Sequence, residues 1–181
     1  MSHDVPPAGP PSQPPYAGGP SRGSFDPASV NKLDWAILGI GAVVLIFSFF
    51  DYYSWDFKGY GINVSQSWSA WHFSHGLFIA WFAMVITVLS AAVLAVSLFV
   101  PTVTLPAPPR MLSFLGFAVG FVLYLIAIFA HSDFGPAGGH AFSFWISLIL
   151  AGVGAVIALM RAQQTNTVLP GRLNSLPRVG R

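Results

Sequence analysis

Four long apolar runs limit what this chain can fold into. The runs cover residues 33–50, 76–100, 111–130 and 141–160. A helix rises about 1.5 Å per residue, so each run spans roughly 27 Å or more, close to the thickness of the hydrocarbon core of a bilayer. We therefore predict an all-α polytopic membrane protein, an antiparallel four-helix bundle. Its transmembrane helices are expected near residues 33–51, 76–100, 111–130 and 141–161.

The composition supports a membrane environment. Charged residues make up 8% of the chain and hydrophobic residues 54%, whereas a soluble domain has about 25% charged residues. The net charge is +2, but the basic residues are scattered beside the apolar runs. We therefore expect the lipid bilayer, and not nucleic acid, as a partner. Cysteine is absent, which excludes disulfides, cysteine-ligated metals and thiol catalysis.

Both ends of the chain have the composition of tails. Residues 1–30 contain the pairs Pro6-Pro7, Pro10-Pro11 and Pro14-Pro15 and almost no aliphatic side chains. Such a segment cannot bury enough apolar surface to offset its ordering entropy, so we predict a disordered, Pro-rich tail. Residues 163–181 form a second, basic tail, and residues 31–162 the four-helix transmembrane domain.

The basic residues predict the orientation. Seven of the eight lie in or within two residues of the N-terminal tail, the 101–110 connector or the C-terminal tail, and only Lys58 lies elsewhere. Loops on the cytoplasmic side carry the excess of Lys and Arg. We therefore expect a multi-pass plasma-membrane protein with both termini in the cytoplasm and with Asp51–His75 and His131–His140 outside.

The first outer segment, Asp51–His75, is unusually aromatic. Eight of its 25 residues are Phe, Trp or Tyr, against 15% for the whole chain. Tyr and Trp favour the membrane–water boundary because their rings are apolar while their O–H or N–H needs a polar partner. We expect an interfacial or partner-binding surface at Tyr52, Tyr53, Trp55, Trp68 and Trp71. The spacing of Trp68, Trp71, His72 and His75 also predicts a short interfacial helix, capped by Ser65 or Ser67.

Four of the five histidines fall in the outer segments: His72, His75, His131 and His140. His72 and His75 would share one face of a helix, as two ligands of one metal ion do. Protonation of the same side chains would instead make the outer surface sense pH. The competing interpretation is that they are interfacial side chains bonded to headgroups, water or loop backbone. We favour that interpretation and predict no metal or other cofactor.

Gly116 and Gly120 form a Gly-x-x-x-Gly motif in the third run. Small residues let membrane helices approach backbone to backbone. The motif predicts packing inside one bundle, with a face for homo-oligomers as the alternative.

The apolar runs lack the usual machinery of enzymes and coupled transporters. Apart from Asp34 at the near end of the first run, they contain no Asp, Glu, Lys, Arg or His, and no P-loop, nucleophile elbow or His-Glu-x-x-His motif occurs. We expect a non-enzymatic accessory or scaffold protein of the cell envelope that binds other membrane proteins. The alternatives are an extracytoplasmic metal or proton sensor and a passive solute channel or transporter.

Three segments resemble a group of small four-helix actinobacterial membrane proteins with Pro/Gly-rich cytoplasmic tails. They are Phe49-Phe50-Asp51-Tyr52-Tyr53, Ser67-Trp68-Ser69-Ala70-Trp71 and Gly139-His140-Ala141-Phe142-Ser143-Phe144-Trp145. The resemblance covers roughly residues 30–162. It implies a four-helix fold, and it implies no catalytic residues because the group has no assigned function.

Overall fold

The computed structural model describes residues 27–72, 78–100, 102–130 and 138–167. After a 3-10 turn at Pro27–Ser29, these residues form four α-helices and three β-strands. In chain order they are α1 Lys32–Phe47, β1 Asp51–Gly59, β2 Ile62–Ser69, α2 Phe78–Phe99, α3 Pro109–Ala130, β3 Gly138–His140 and α4 Phe142–Gln164. Nearly all of both predicted tails lies outside the described residues.

Three of the described helices are suited to cross a membrane. By length and composition, α2, α3 and α4 qualify, with 22, 22 and 23 residues. Helix α1 has 16 residues, about 24 Å, which is shorter than the hydrocarbon core. The helices are therefore those of a membrane protein, while the fourth span stays a prediction.

Helix α1 ends four residues before the predicted boundary. The Ser48 hydroxyl donates to the carbonyl of Leu45 at 2.6 Å, and the chain enters β1 at Asp51. At its start, the Asn31 side chain accepts from the Leu33 amide at 2.9 Å and caps the helix. Both ends of α1 are thus fixed by short polar side chains.

Each helix packs against two others. Helix α2 lies between α1 and α3, and α4 lies between α3 and α1. The sheet connects helix ends on one side of this bundle, and the 100–108 connector joins α2 to α3 on the other. The largest fully buried hydrophobic side chains belong to all four helices and β1: Ile37, Val44, Tyr52, Met84, Leu94, Phe117, Tyr124 and Phe144.

Helix α3 begins at Pro109, two residues earlier than predicted. Proline suits the first helical position because it has no N–H to leave unpaired and its φ angle is already helical. Helix α4 continues to Gln164, three residues past the predicted end.

Gly116 and Gly120 lie where α3 crosses α2. A Cβ on Gly116 would overlap the side chain of Ser90, and one on Gly120 would overlap that of Thr87. The two glycines therefore allow close contact of these helices within the chain.

The three strands correct the expectation of an all-α protein. They form an antiparallel sheet in the order β2-β1-β3. Strands β1 and β2 are joined by Tyr60-Gly61, whose φ angles of 52° and 77° fit a type I′ hairpin turn. The predicted helix from Trp68 is wrong, because Trp68 lies in β2. His75, the far end of that predicted helix, lies outside the described residues.

Candidate functional site

The sheet has two chemically different faces. Residues paired directly across strands point to the same face, and successive residues alternate. The pairs Tyr53–Trp68, Trp55–Gln66, Phe57–Val64, Gly59–Ile62 and Tyr53–His140 make one face mostly aromatic and aliphatic. We call Tyr53, Trp55, Phe57, Ile62, Val64 and Trp68 the aromatic face. The opposite face carries Ser54, Asp56, Lys58, Asn63, Ser65 and Ser67, and we call these the polar face.

The base of the sheet is buried against the helices. The register of β1 shifts between Asp51 and Tyr53, which identifies a β-bulge. Because of the bulge, two consecutive side chains, Tyr52 and Tyr53, are both buried, with 0% and 2% exposure. The Tyr53 ring lies 6.2 Å from that of Phe144 on α4. The sheet is therefore anchored at this end.

Tyr52 reaches into the bundle and completes a network of three hydroxyl groups. Its phenol oxygen lies 3.0 Å from that of Tyr124 on α3, and it donates to the hydroxyl of Ser147 on α4. The carbonyl of Tyr52 also accepts from the Ala141 amide at 2.8 Å. Burial raises the pKa of the Tyr52 phenol, although its hydrogen bonds oppose the shift. The phenol stays protonated at neutral pH, so the network stabilises the fold and supplies no base.

The outer half of the aromatic face is uncovered. Phe57, Val64 and Ile62 are 40%, 45% and 58% exposed. The rings of Trp55 and Phe57 stack with centroids 5.9 Å apart. Since Tyr53 and Trp68 at the base pack on the bundle core, the same face is core at one end and open surface at the other.

Strand β2 also has a free backbone edge. It pairs with β1 on one side, and no strand within the described residues pairs with its other side. Its sequence, Ile-Asn-Val-Ser-Gln-Ser-Trp-Ser, contains no charge and no proline, the features that usually protect an edge strand. Among the described residues, the outer part of this edge, at residues 62–65, is therefore not paired with another strand and could accept one.

Tyr60 occupies the tip of the hairpin in an unfavourable conformation. Its φ angle is 52°, in the left-handed region where a residue other than Gly, Asn or Asp costs about 1–2 kcal/mol. The side chain is 100% exposed, so packing within the chain does not offset this cost. Strain of this kind is a reason to look for a function at that position.

The five predicted interfacial aromatics separate into two groups. Tyr52 and Tyr53 are core residues, whereas Trp55, Trp68 and Trp71 keep partial exposure. Trp71 donates its indole N–H to the Ser48 hydroxyl at 3.0 Å and stacks on Phe49 at 5.7 Å. It therefore ties the chain after β2 to the end of α1.

Two of the four outer histidines, His72 and His140, lie in the described part of the chain. His72 follows β2 with its ring 6.0 Å from Trp68, and His140 lies in β3 with its ring 4.0 Å from Phe144. Within the described ranges, no three His, Cys, Asp or Glu residues are grouped as a metal site requires. His75 and His131 lie outside those ranges, so the alternative of a shared metal site stays untested.

A charged cluster at the other end of the bundle was not predicted. Asp34 on α1 is 1% exposed and accepts from Arg161 of α4 at 3.0 and 3.1 Å. Arg110 of α3 donates to the same carboxylate at 3.3 Å. We call Asp34, Arg110 and Arg161 the Asp34 cluster. The available signal was Asp34 itself, since an ionisable residue within an apolar run calls for a buried partner.

Comparison with known proteins adds no assignment. No protein-family model matches the chain, and no curated protein is similar to it.

Proposed function

We propose that this is a non-enzymatic membrane protein that binds a partner protein through the outer half of its sheet. The observation that carries the proposal is the uncovered aromatic face at Phe57, Ile62 and Val64. The other end of the same sheet is packed against the helix bundle. Exposed apolar surface of this kind marks interaction sites. In the predicted orientation the surface lies outside the plasma membrane, as expected for an accessory or scaffold protein of the cell envelope.

The free edge of β2 favours a protein over lipid as the occupant of this surface. Backbone N–H and C=O groups must be hydrogen-bonded inside hydrocarbon, so open sheet edges do not occur there. An extended segment of a partner would satisfy these groups by adding a strand beside β2. Its alternate side chains would then contact Ile62 and Val64.

Tyr60 fits the same proposal. The positive φ angle of Tyr60 destabilises the free chain. Its exposed ring would be buried only when a partner covers the tip of the hairpin. Tyrosine is common at interface hot spots because it buries a large, rigid surface and still offers a hydroxyl group.

Photocrosslinking tests the proposal. A benzophenone amino acid would replace Phe57 or Ile62 in one set of variants and Lys58 or Ser65 in another. Each set has one position on β1 and one on β2, and the two sets lie on opposite faces of the sheet. After illumination of membranes from the source organism, we expect a discrete protein adduct from the aromatic-face variants and little or none from the polar-face variants.

The kind of adduct distinguishes a bound protein from lipid and from non-specific contact. Adducts to lipid alone would show that the aromatic face lies in the membrane, and equal protein adducts from both faces would show non-specific proximity. Tyr60→Asn gives a second measurement. Asn tolerates the left-handed conformation, so the hairpin should stay folded while the adduct from position 57 becomes weaker.

A further inference from the structure

The Asp34 cluster carries more positive than negative charge. It contains one carboxylate and two guanidinium groups, so one positive charge remains uncompensated. Among the described residues, the ion pairs of Arg110 and Arg161 are both with Asp34. An excess charge in a partly buried site is unfavourable unless an anion or water stabilises it.

Arg110 is the less satisfied of the two arginines. Arg161 uses Nε and Nη2 together on Asp34, a two-point contact. Arg110 contacts the carboxylate through Nη2 alone, and its buried Nε has no hydrogen-bond partner in the described structure. Its side chain keeps 30% exposure. Arg110 therefore has an unused donor at its buried Nε, while other parts of its side chain remain accessible.

The start of α3 adds further donors beside Arg110. In the first turn of α3, Pro109 has no N–H and the Leu112 amide donates to the carbonyl of Pro108 at 3.1 Å, so two amides remain without an acceptor within the helix. The helix dipole also places partial positive charge there. Ser113 lies one turn further along and is fully buried. Its hydroxyl oxygen has no partner in the described part of the chain. Helical side chains tilt toward the N-terminus, so this hydroxyl is directed toward the same turn.

The aromatic side chains nearby are consistent with a membrane boundary at this level. Trp35 follows Asp34 directly, and its ring lies 6.2 Å from that of Phe99 at the end of α2. Its indole N–H donates to the carbonyl of Pro27 at 3.4 Å. Tryptophan with an apolar ring contact and a polar N–H contact is typical of the headgroup level.

We propose that Arg110 and the first turn of α3 bind the phosphate of an anionic phospholipid headgroup. The guanidinium group and the free amides provide the donors that a phosphate needs. The interfacial contacts of Trp35 place this cluster near the expected level of the headgroups, which favours a lipid over a soluble anion. The buried hydroxyl of Ser113, one helical turn deeper in the bundle, provides a further donor. This site is independent of the sheet and of any partner bound there.

The test uses the full chain in nanodiscs and in mild detergent. Native mass spectrometry would count the lipids retained after exposure to phosphatidylglycerol or to phosphatidylcholine, with inorganic phosphate as a competitor. We expect phosphatidylglycerol to be retained preferentially. Arg110→Gln should lower its retention roughly five- to tenfold, since it removes both a basic charge at the membrane surface and a direct charged hydrogen bond to the phosphate.

Lys32→Gln is the matched control. It removes one positive charge from an exposed side chain at the same end of the bundle, so retention should change little. Equal losses for both variants would overturn the proposal in favour of diffuse attraction. Equal retention of the two lipids would also overturn it, and so would displacement of the lipid by inorganic phosphate.

Asp34→Asn separates lipid binding from a purely structural cluster. Loss of the carboxylate frees both arginines, so a variant that remains folded should retain more phosphatidylglycerol than the wild type. If Arg110→Gln or Asp34→Asn does not fold, Ser113→Ala serves instead. It leaves the charge unchanged and should still lower retention of phosphatidylglycerol, and unchanged retention would contradict the site.

Discussion

A single phenol group, that of Tyr52, connects three parts of the molecule. Its ring belongs to β1, and its hydroxyl bonds to side chains on α3 and α4. The bulge before Tyr53 gives the ring this direction. Tyr52 therefore adds a polar attachment of the sheet to two helices, beside the apolar packing of Tyr53.

Replacement of Tyr52 by Phe should destabilise the protein. The ring would still fill its space, but Tyr124 and Ser147 would lose their shared hydroxyl partner. Leaving buried polar groups unpaired costs about 1–3 kcal/mol. Denaturant unfolding in detergent would measure the loss. Tyr60→Phe is the control, since it removes a phenol hydroxyl from a fully exposed position and should change the free energy of unfolding little.

Tyr52→Phe should also change how the free energy of unfolding depends on alkaline pH. Burial raises the pKa of Tyr52 above 10.0, so above that pH the unfolded chain loses a proton that the folded chain retains. The stabilisation is fully present below about pH 10 and is lost as the pH rises through the folded pKa. Unfolding between pH 9 and about 12 should be less pH-dependent in Tyr52→Phe than in the wild type. Identical profiles would show that Tyr52 is not the group responsible.

Sequence reasoning identified Tyr52 but gave it the wrong environment. An aromatic residue after an apolar run predicts a boundary position, and the bulge that buries it depends on pairing with β2 and β3. Asp34 is similar, because its partner Arg161 lies 127 residues away. Local patterns indicate that such residues need partners and do not show which ones.

Among the elements, the contact between α2 and α3 relies on small residues. Gly120 faces Thr87, and the backbone oxygen of Ala83 would lie 3.2 Å from an added Cβ. The two atoms that an added Cβ would meet, Oγ1 of Thr87 and the Ala83 carbonyl oxygen, belong to a short branched side chain and to the backbone, so neither can move away easily. An added methyl group would therefore have to push the helices apart.

Gly120→Ala should destabilise the bundle by about 1–3 kcal/mol, the usual cost of overpacking. Gly39→Ala on α1 is the matched control because an added Cβ there would meet no atom within 4 Å. That change should be neutral or stabilise by up to about 1 kcal/mol through helix propensity. Thermal unfolding of both variants in detergent would check this. Equal effects would mean that propensity, and not contact with α2, controls the result.

The element that sequence analysis missed is the hairpin. Its sequence carries the signal: Tyr53, Trp55 and Phe57 alternate with polar residues, and a glycine lies at the turn. The period of two was overlooked because Trp68, Trp71, His72 and His75 also match helical spacing. Helices α2, α3 and α4 were predictable because long uncharged runs have few other solutions.

For the molecule as a whole, the sheet and the Asp34 cluster lie at opposite ends of the bundle. The predicted orientation places the sheet outside the cell and the cluster at the cytoplasmic boundary. Both functional proposals can be tested separately, because the two surfaces share no residue.

The absence of cysteine makes the orientation directly measurable. Ser65→Cys lies on the polar face of the hairpin and should react with a membrane-impermeant thiol reagent on intact cells. Ser12→Cys and Ser175→Cys, in the two tails, should react only after the cells are opened. The opposite pattern would reverse the orientation and place the aromatic face in the cytoplasm.

The long separation of the tertiary contacts has a consequence for biosynthesis. Tyr52 meets Ser147 across 95 residues, and Asp34 meets Arg161 across 127. Both contacts use α4, which is synthesised after the other three described helices. Until then α1 holds a carboxylate without its main counter-ion, and the base of the sheet lacks β3. Both ends of the nascent bundle therefore stay incomplete until α4 is inserted, and a chain truncated before α4 is expected to be a substrate for membrane proteases.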